Sequence, residues 1–280
     1  MTRDLKALAT SISSRLSDIA RKSQTPFPYL LTLFLLERIA VRLTGDTKLA
    51  KHIVFKGGYV GLRVYQSPRY TVDLDALAVG LPLAEAVERA KKAIESSTTL
   101  DGAWFVFEEL VDLKTQGEYG GSRLAFRAGI GEKLNNLKKA QIVNVDFATG
   151  DAVVPAPIQQ ETPFILGKGS LSWTVYPPET TVSEKLHAMI TLGDVNSRSK
   201  DVFDINLLLP KCNPKLLRAA LTNTFNSRKD ELPNNLIEHL NNIDKSVLKR
   251  GWRGAVGVLS LEQDFEDTFA QMIGKLEKIL

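Results

Sequence analysis

The sequence predicts an α/β (α+β) core followed by an all-helical C-terminal part. Three observations carry this reading. Short β-prone segments, several of them alternating apolar and polar residues, concentrate between residues 52 and 176. Helical periodicity fills the stretches on either side. After residue 178 every segment is helical in character. The division expected is therefore 1–177, a core with N-terminal helices, and 178–280, a helical domain.

Residues 3–22 and 26–43 read as two helices. Pro26 and Pro28 sit where the second would start, and Thr25 is in place to cap it. His52–Phe55 is a short apolar strand. Gly57-Gly58 ends it and opens a helix running to Tyr65. Tyr70–Val79 alternates as a strand does. Leu83–Ser97 has helical spacing with an Ala/Glu/Lys-rich surface. Trp104–Leu110, Ser122–Ala128 and Ala140–Ala148 read as strands, the last preceded by a basic, Asn-rich loop, Lys133–Lys139. Leu171–Tyr176 is the last strand. From Pro178 onward the helices are punctuated at Gly193, Pro210, Pro214 and Pro233.

Composition bounds the function. The chain has 280 residues, 44% apolar and 24% charged, which is ordinary for a globular protein. No stretch approaches the ~18–20 apolar residues of a membrane span. The N-terminus, MTRDLKALATSISSRL, alternates charge with apolar residues and lacks the pattern of a secretion signal, so a cytoplasmic location is expected. The single cysteine, Cys212, excludes an internal disulfide and a cysteine-rich zinc site. His52, His187 and His239 show no metal-ligand spacing. A net charge of +4 and a pI of about 9.0 are compatible with a nucleotide or nucleic-acid partner without demanding one.

The chemistry starts at Tyr70-Thr71-Val72-Asp73-Leu74-Asp75. Residues two apart on a strand share a face, so Asp73 and Asp75 project together. Two adjacent carboxylates repel unless a cation lies between them, and Mg²⁺ is commonly held by one or two carboxylates plus substrate phosphates. Taken alone, the pair is equally a solvent-facing strand with two acids. Phe55-Lys56-Gly57-Gly58, upstream, is a strand-to-helix junction at which glycines let the backbone approach a phosphate closely; a bare tight turn is the alternative. Arg69 precedes the Asp strand and is placed either to meet phosphate charge or to sit solvated in a loop. Asp146 interrupts the β-prone run Val143-Asn144-Val145-Asp146-Phe147, and a carboxylate on such a strand is costly unless paired or metal-bound. It is either a third ligand of a two-metal site or the solvent end of the strand.

In the helical part, Thr181-Val182-Ser183-Glu184 fits a capping box, which gives Glu184 a structural role. Lys185 then falls in the first turn, where the helix dipole disfavours a cation and another purpose is implied. In Asn196-Ser197-Arg198-Ser199-Lys200-Asp201, Asp201 suits a helix start. Lys200 and Asp204 are spaced as an i,i+4 ion pair.

KGG (56–58), RYTVDLD (69–75), SEKLHA (183–188) and NSRSKDVFDI (196–205) together resemble, in the same order, the AbiEii/MenT-type nucleotidyltransferase toxins of the polymerase-β-like nucleotidyltransferase superfamily. The resemblance spans roughly residues 50–210. It implies a polymerase-β-like core with a mixed sheet. It also implies a toxin of a toxin–antitoxin system, a cognate antitoxin as partner, and transfer of nucleotides from NTP to an RNA acceptor such as the tRNA 3′ end. By motif it assigns Lys56, Gly57, Gly58, Arg69 and Lys185 to the nucleotide, and Asp73, Asp75 and Asp146 to Mg²⁺ or Mn²⁺. Asp75, Lys185 and Asp201 fall to catalysis, with Glu184, Arg198 and Asp204 in support. Two positions depart from the superfamily pattern: Tyr59 follows the glycines where Ser or Thr is frequent, and Ala76 follows the Asp pair where an aromatic is frequent.

Two other functions remain open at this level. One is nucleotidylation or phosphorylation of a protein, the antitoxin included. The other is a non-catalytic nucleotide- or RNA-binding module. Lys133–Lys139 and the cluster Lys249, Arg250, Trp252, Arg253 are candidate RNA contacts, since cations beside an aromatic ring suit stacked bases.

Overall fold

The computed structural model describes residues 5–96, 101–113, 120–256 and 263–280. Residues 3 and 4 of the first expected helix, and Ser97 at the end of a later one, lie outside them. Among the described residues no helix is long and apolar enough to cross a membrane.

In chain order the elements are α1 (Leu5–Ser23), α2 (Phe27–Gly45), α3 (Leu49–His52), β1 (Ile53–Lys56), α4 (Gly57–Arg63), β2 (Asp73–Ala78) and α5 (Leu83–Glu95), then β3 (Ala103–Leu113), β4 (Gly121–Ile130), β5 (Gln141–Thr149), β6 (Ile158–Pro163) and β7 (Ser170–Val175). Helices complete the chain: α6 (Pro178–Leu192), α7 (Ser199–Leu208), α8 (Pro214–Ser227), α9 (Leu236–Asn242), α10 (Ser246–Val256) and α11 (Phe265–Ile279). By contact the chain falls into two compact units. One contains Met1–Tyr59, Thr71–Gly150 and Gln159–Thr174; the other contains Val60–Tyr70, Asp151–Ile158 and Val175–Leu280.

The seven strands form one mixed sheet in the order β3-β4-β5-β2-β1-β7-β6. Strand β2 pairs antiparallel with β1 and parallel with β5, and β5 pairs antiparallel with β4. The α+β architecture expected from sequence is thus present. Strand β6 was not expected. Its sequence, IQQETP, lacks an apolar alternation because it lies at the sheet edge, where polar residues discourage further pairing. The single-turn α3 was missed as well.

Alternation along the central strands decides what each face carries. Leu74 and Ala76 of β2, Val143, Val145 and Phe147 of β5, and Leu124 and Phe126 of β4 are all buried on one face, where α2 and α5 pack. The residues between them, Asp73, Asp75, Asn144, Asp146 and Arg123, project from the other face. Helix α2 is itself nearly encased, with Leu30, Leu33–Leu36, Ile39, Ala40 and Leu43 buried. Two of its charged side chains are paired: the Arg42 guanidinium donates to both Asp101 oxygens and to the Ala103 carbonyl. The Glu37 carboxylate accepts from Arg38 at 2.5 Å and from the Ile165 amide at 2.8 Å. At β1, Phe55 and Tyr59 pack on Trp173 with ring centroids 5.2 and 5.9 Å away.

Two expected caps are corrected. Pro26, not Thr25, occupies the cap position of α2, and no side chain caps it. The Thr25 hydroxyl and amide instead bond to Ser23 and Ala20 of the preceding helix. Helix α6 starts at Pro178, with proline in its first turn, rather than at a capping box. The Ser183 hydroxyl is inside the helix, bonded to the Thr180 carbonyl and the Thr224 hydroxyl.

Leu74 is fully buried between the two acids of β2. Leu74→Ala should cost about 2–5 kcal/mol, read as a lower urea midpoint at unchanged slope.

Candidate functional site

Asp73 and Asp75 share the polar face of β2. Strand register sets their neighbours: Asp75 lies opposite Lys56 of β1 on one side and Asp146 of β5 on the other. Asp146 in turn lies opposite Arg123 of β4. A row across four strands therefore reads Lys56, Asp75, Asp146, Arg123. The two carboxylates are central and the cations stand outside them.

Asp75 is seated against the strand-to-helix junction. Gly57 has φ +72°, and a Cβ there would fall 1.9 Å from Asp75 Oδ2. Glycine is required twice over, for the left-handed backbone and for room for the carboxylate. Gly58 follows in the first turn of α4. Asp73 accepts a hydrogen bond from the Thr71 hydroxyl at 3.2 Å.

Arg123 is the residue that sequence reasoning missed. Its Nε and terminal nitrogen each donate to an Asp146 oxygen at 2.7 Å, a two-point grip. The same terminal nitrogen is 3.8 Å from Asp73 Oδ2. The Asp146 hydrogen bond, reinforced by the charges of Asp146, Asp73 and Asp75, raises the Arg123 pKa despite partial burial. Alternation in β4 put Arg123 on a polar face, but only the register of β4 on β5 puts it opposite Asp146.

The donor set bears directly on whether a divalent cation fits here. Among the described residues no group of three His, Cys, Asp or Glu side chains is placed to hold a metal ion. Both Asp146 oxygens are taken by Arg123. Asp73 and Asp75 stand on one face of β2, beside a glycine cradle that a Cβ would fill. That set fits an ion which takes one or two carboxylates and completes its shell with phosphates and water.

A second cluster lies within the helical unit. Lys185 on α6 is 2.5 Å from Asp201 Oδ1 and 2.9 Å from Asp204 Oδ2, both carried by α7. Arg69 donates to both Asp204 oxygens, at 3.0 and 3.1 Å. The Arg198 Nε is 2.7 Å from Asp201 Oδ2. The result is an alternating chain, Arg198–Asp201–Lys185–Asp204–Arg69, with three cations and two anions. Burial alone would pull the Lys185 pKa down; Asp201 and Asp204 outweigh it and raise it. Burial would push Asp204 up; Lys185 and Arg69 outweigh it and hold the carboxyl below its ordinary range.

Several expectations change here. Lys185 is about two turns inside α6, so no dipole argument applies to it; its carboxylate partners account for it. Asp204 pairs with Arg69 and Lys185, not with Lys200 as the i,i+4 spacing suggested. Glu184 stands with a different group, 3.9 Å from an Arg228 nitrogen that also binds Asp151. Trp252 is no base platform. It is 6% exposed, donates to the Gln263 carbonyl at 2.6 Å and packs edge-on to Phe265. Lys249 pairs with Glu266. Lys133–Lys139 is exposed and ends in a short 3₁₀ turn. Burial pushes the Cys212 thiol up to about 12, which leaves it unreactive at neutral pH.

The family model "Nucleotidyl transferase AbiEii toxin, Type IV TA system" matches residues 38–271. The chain belongs to this family of nucleotidyltransferase toxins of type IV toxin–antitoxin systems. Solved structures share the fold. A Helicobacter pylori chain described as a nucleotidyltransferase aligns with a TM-score of 0.52 at 16% identity, covering 90% of this chain and 94% of its own. JHP933 from Helicobacter pylori aligns at 0.50 and 16%, covering 88% of each chain. MenT4, a nucleotidyltransferase toxin of Mycobacterium tuberculosis, aligns at 0.50 and 17%, covering 94% of this chain and 98% of its own. No curated protein matches the sequence.

Two outcomes are expected. Gly57→Ala should destabilise the fold by about 1–2 kcal/mol for the left-handed backbone, seen in thermal melts, and a crystal structure should show the Asp75 carboxylate turned away. Asp204 is held below its unfolded pKa, so its stabilisation is present above about pH 4 and lost as pH falls through the lower folded value. Lys185 is raised, so its contribution is complete below about pH 10.4 and lost as pH rises through the higher folded value. Denaturation curves across pH should show both limbs in the wild type, with the acid limb flattened in Asp204→Asn.

Proposed function

We propose that this chain transfers a nucleotide from an NTP to an RNA acceptor, the 3′ end of tRNA, and thereby stops translation. Family membership supports the reaction class. The observation that carries the site is the seating of Asp75 against Gly57, with Asp73 on the same face of β2. Asp73 and Asp75 would hold a divalent ion of the Mg²⁺ type. When bound, that ion supplies charge neutralisation at the phosphates and orientation of the triphosphate.

The remaining roles belong to the chain's own groups. Gly57 and Gly58 admit the triphosphate close to backbone. Lys56, opposite Asp75, is a cation for the phosphate oxygens. Lys185 keeps its proton at any physiological pH, and its network holds one more positive than negative charge, which suits it to phosphate charge that builds during transfer. Asp201 and Asp204 fix that ammonium, and Arg69 and Arg198 hold the two aspartates in turn. In a toxin–antitoxin system the cognate antitoxin is the expected partner.

The test is purified protein with Mg²⁺, each α-labelled NTP and total tRNA. Label should appear on tRNA with at least one NTP. Label on protein that survives ribonuclease would replace the RNA acceptor with a protein one, and nucleotide binding without transfer to anything would leave only a binding module. Asp75→Ala should lower transfer by about a hundredfold to a thousandfold, the scale of losing a principal charge-stabilising group, while its thermal melt stays cooperative.

A further inference from the structure

Three carboxylates stand on the polar face of neighbouring strands, an arrangement that on charge alone invites two divalent ions. The geometry sets Asp146 apart from Asp73. Asp146 is less open than Asp73, with a side chain 15% exposed against 34%. Both of its oxygens are engaged by Arg123 at 2.7 Å. A guanidinium in a two-point grip satisfies a carboxylate's best lone pairs in a fixed plane, and it cannot be deprotonated to release it. The grip is built into the sheet, since Arg123 and Asp146 are register partners on β4 and β5. The same guanidinium reaches to 3.8 Å from Asp73 Oδ2, so it also offsets the charge of a second acid.

Resting on the nucleotidyltransferase reading above, we propose that Arg123 is a resident cation which keeps Asp146 out of the ligand set, so that the site takes one divalent ion, on Asp73 and Asp75, rather than two. Arg123 is then a positioning residue. It fixes Asp146, relieves the repulsion along the row, and restricts the ligands to the β2 pair. Mn²⁺ alone is the probe, because its free form has an electron paramagnetic resonance signal that disappears on binding. Wild type should bind one Mn²⁺ per chain. Arg123→Met frees Asp146 and should bind a second Mn²⁺, or bind the first at least tenfold more tightly. The double variant Arg123→Met/Asp146→Asn removes the freed carboxylate and should return to one ion at wild-type affinity. It also leaves no unpaired buried charge, so it keeps the comparison valid if the single variant melts early. Arg123→Lys retains the charge without the two-point grip and should fall between wild type and Arg123→Met.

Two Mn²⁺ ions on the wild type, or identical stoichiometry and affinity in wild type and Arg123→Met, would overturn the proposal while leaving the metal site intact. No Mn²⁺ on the wild type, whether alone or with the four α,β-methylene nucleoside triphosphates, would instead remove the metal reading and this proposal with it. One Mn²⁺ lost in Asp75→Asn, together with the gain in Arg123→Met, supports both.

Discussion

The parallel pairing of β2 with β5 is the constraint on which the candidate site depends. It sets Asp75 directly beside Asp146. Like charges so placed are destabilising, and the sheet answers with cations on the flanking strands, Lys56 on β1 and Arg123 on β4. The period of two that sends these groups to one face sends Leu74, Val145 and Leu124 to the other, where all three are completely buried. A one-residue slip between β2 and β5 would therefore exchange core and site together. Packing under α2 and α5 holds the register that the charges need.

The helical unit solves a related problem by a different geometry. Asp201 and Asp204 are three apart on α7 and present carboxylates on one side of it. Lys185 from α6 lies within hydrogen-bond reach of both, and Arg69 and Arg198 close the ends of the chain. Buried ion pairs are weak sources of net stability, yet removing one member leaves a buried charge exposed to its full desolvation cost. An alternating five-member chain protects each carboxylate with two cations. It also orients the Lys185 ammonium by two contacts rather than leaving it on a flexible stem.

Much of this was legible in the chain. Apolar alternation located β2, β4 and β5 to within a few residues, and Gly57-Gly58 marked the strand-to-helix junction. The Asp73/Asp75 pair and Asp146 were visible as acids in β-prone runs. The missed features share a cause. Strand β6 has no apolar face to betray it. Helix α6 begins at Pro178, and the Thr181–Glu184 pattern mimics a start about one turn later. Trp252, beside three cations, looked like a stacking platform and is a core residue, because sequence neighbours on an amphipathic helix face opposite ways.

The sequence by itself determined the fold class, the strand that carries the paired acids, the glycine beside it, and the motif order that marks the family. These are local: they follow from period-two alternation, from the φ freedom of glycine and from residue spacing. Only the tertiary structure decided which charges meet. Arg123 and Asp146 are 23 residues apart, and Arg69 and Asp204 are 135 apart. No spacing rule reaches so far. Such partners are chosen by strand register and helix packing, which depend on how the whole apolar surface is buried. That choice placed the Arg123 guanidinium on Asp146, the third acid of the site.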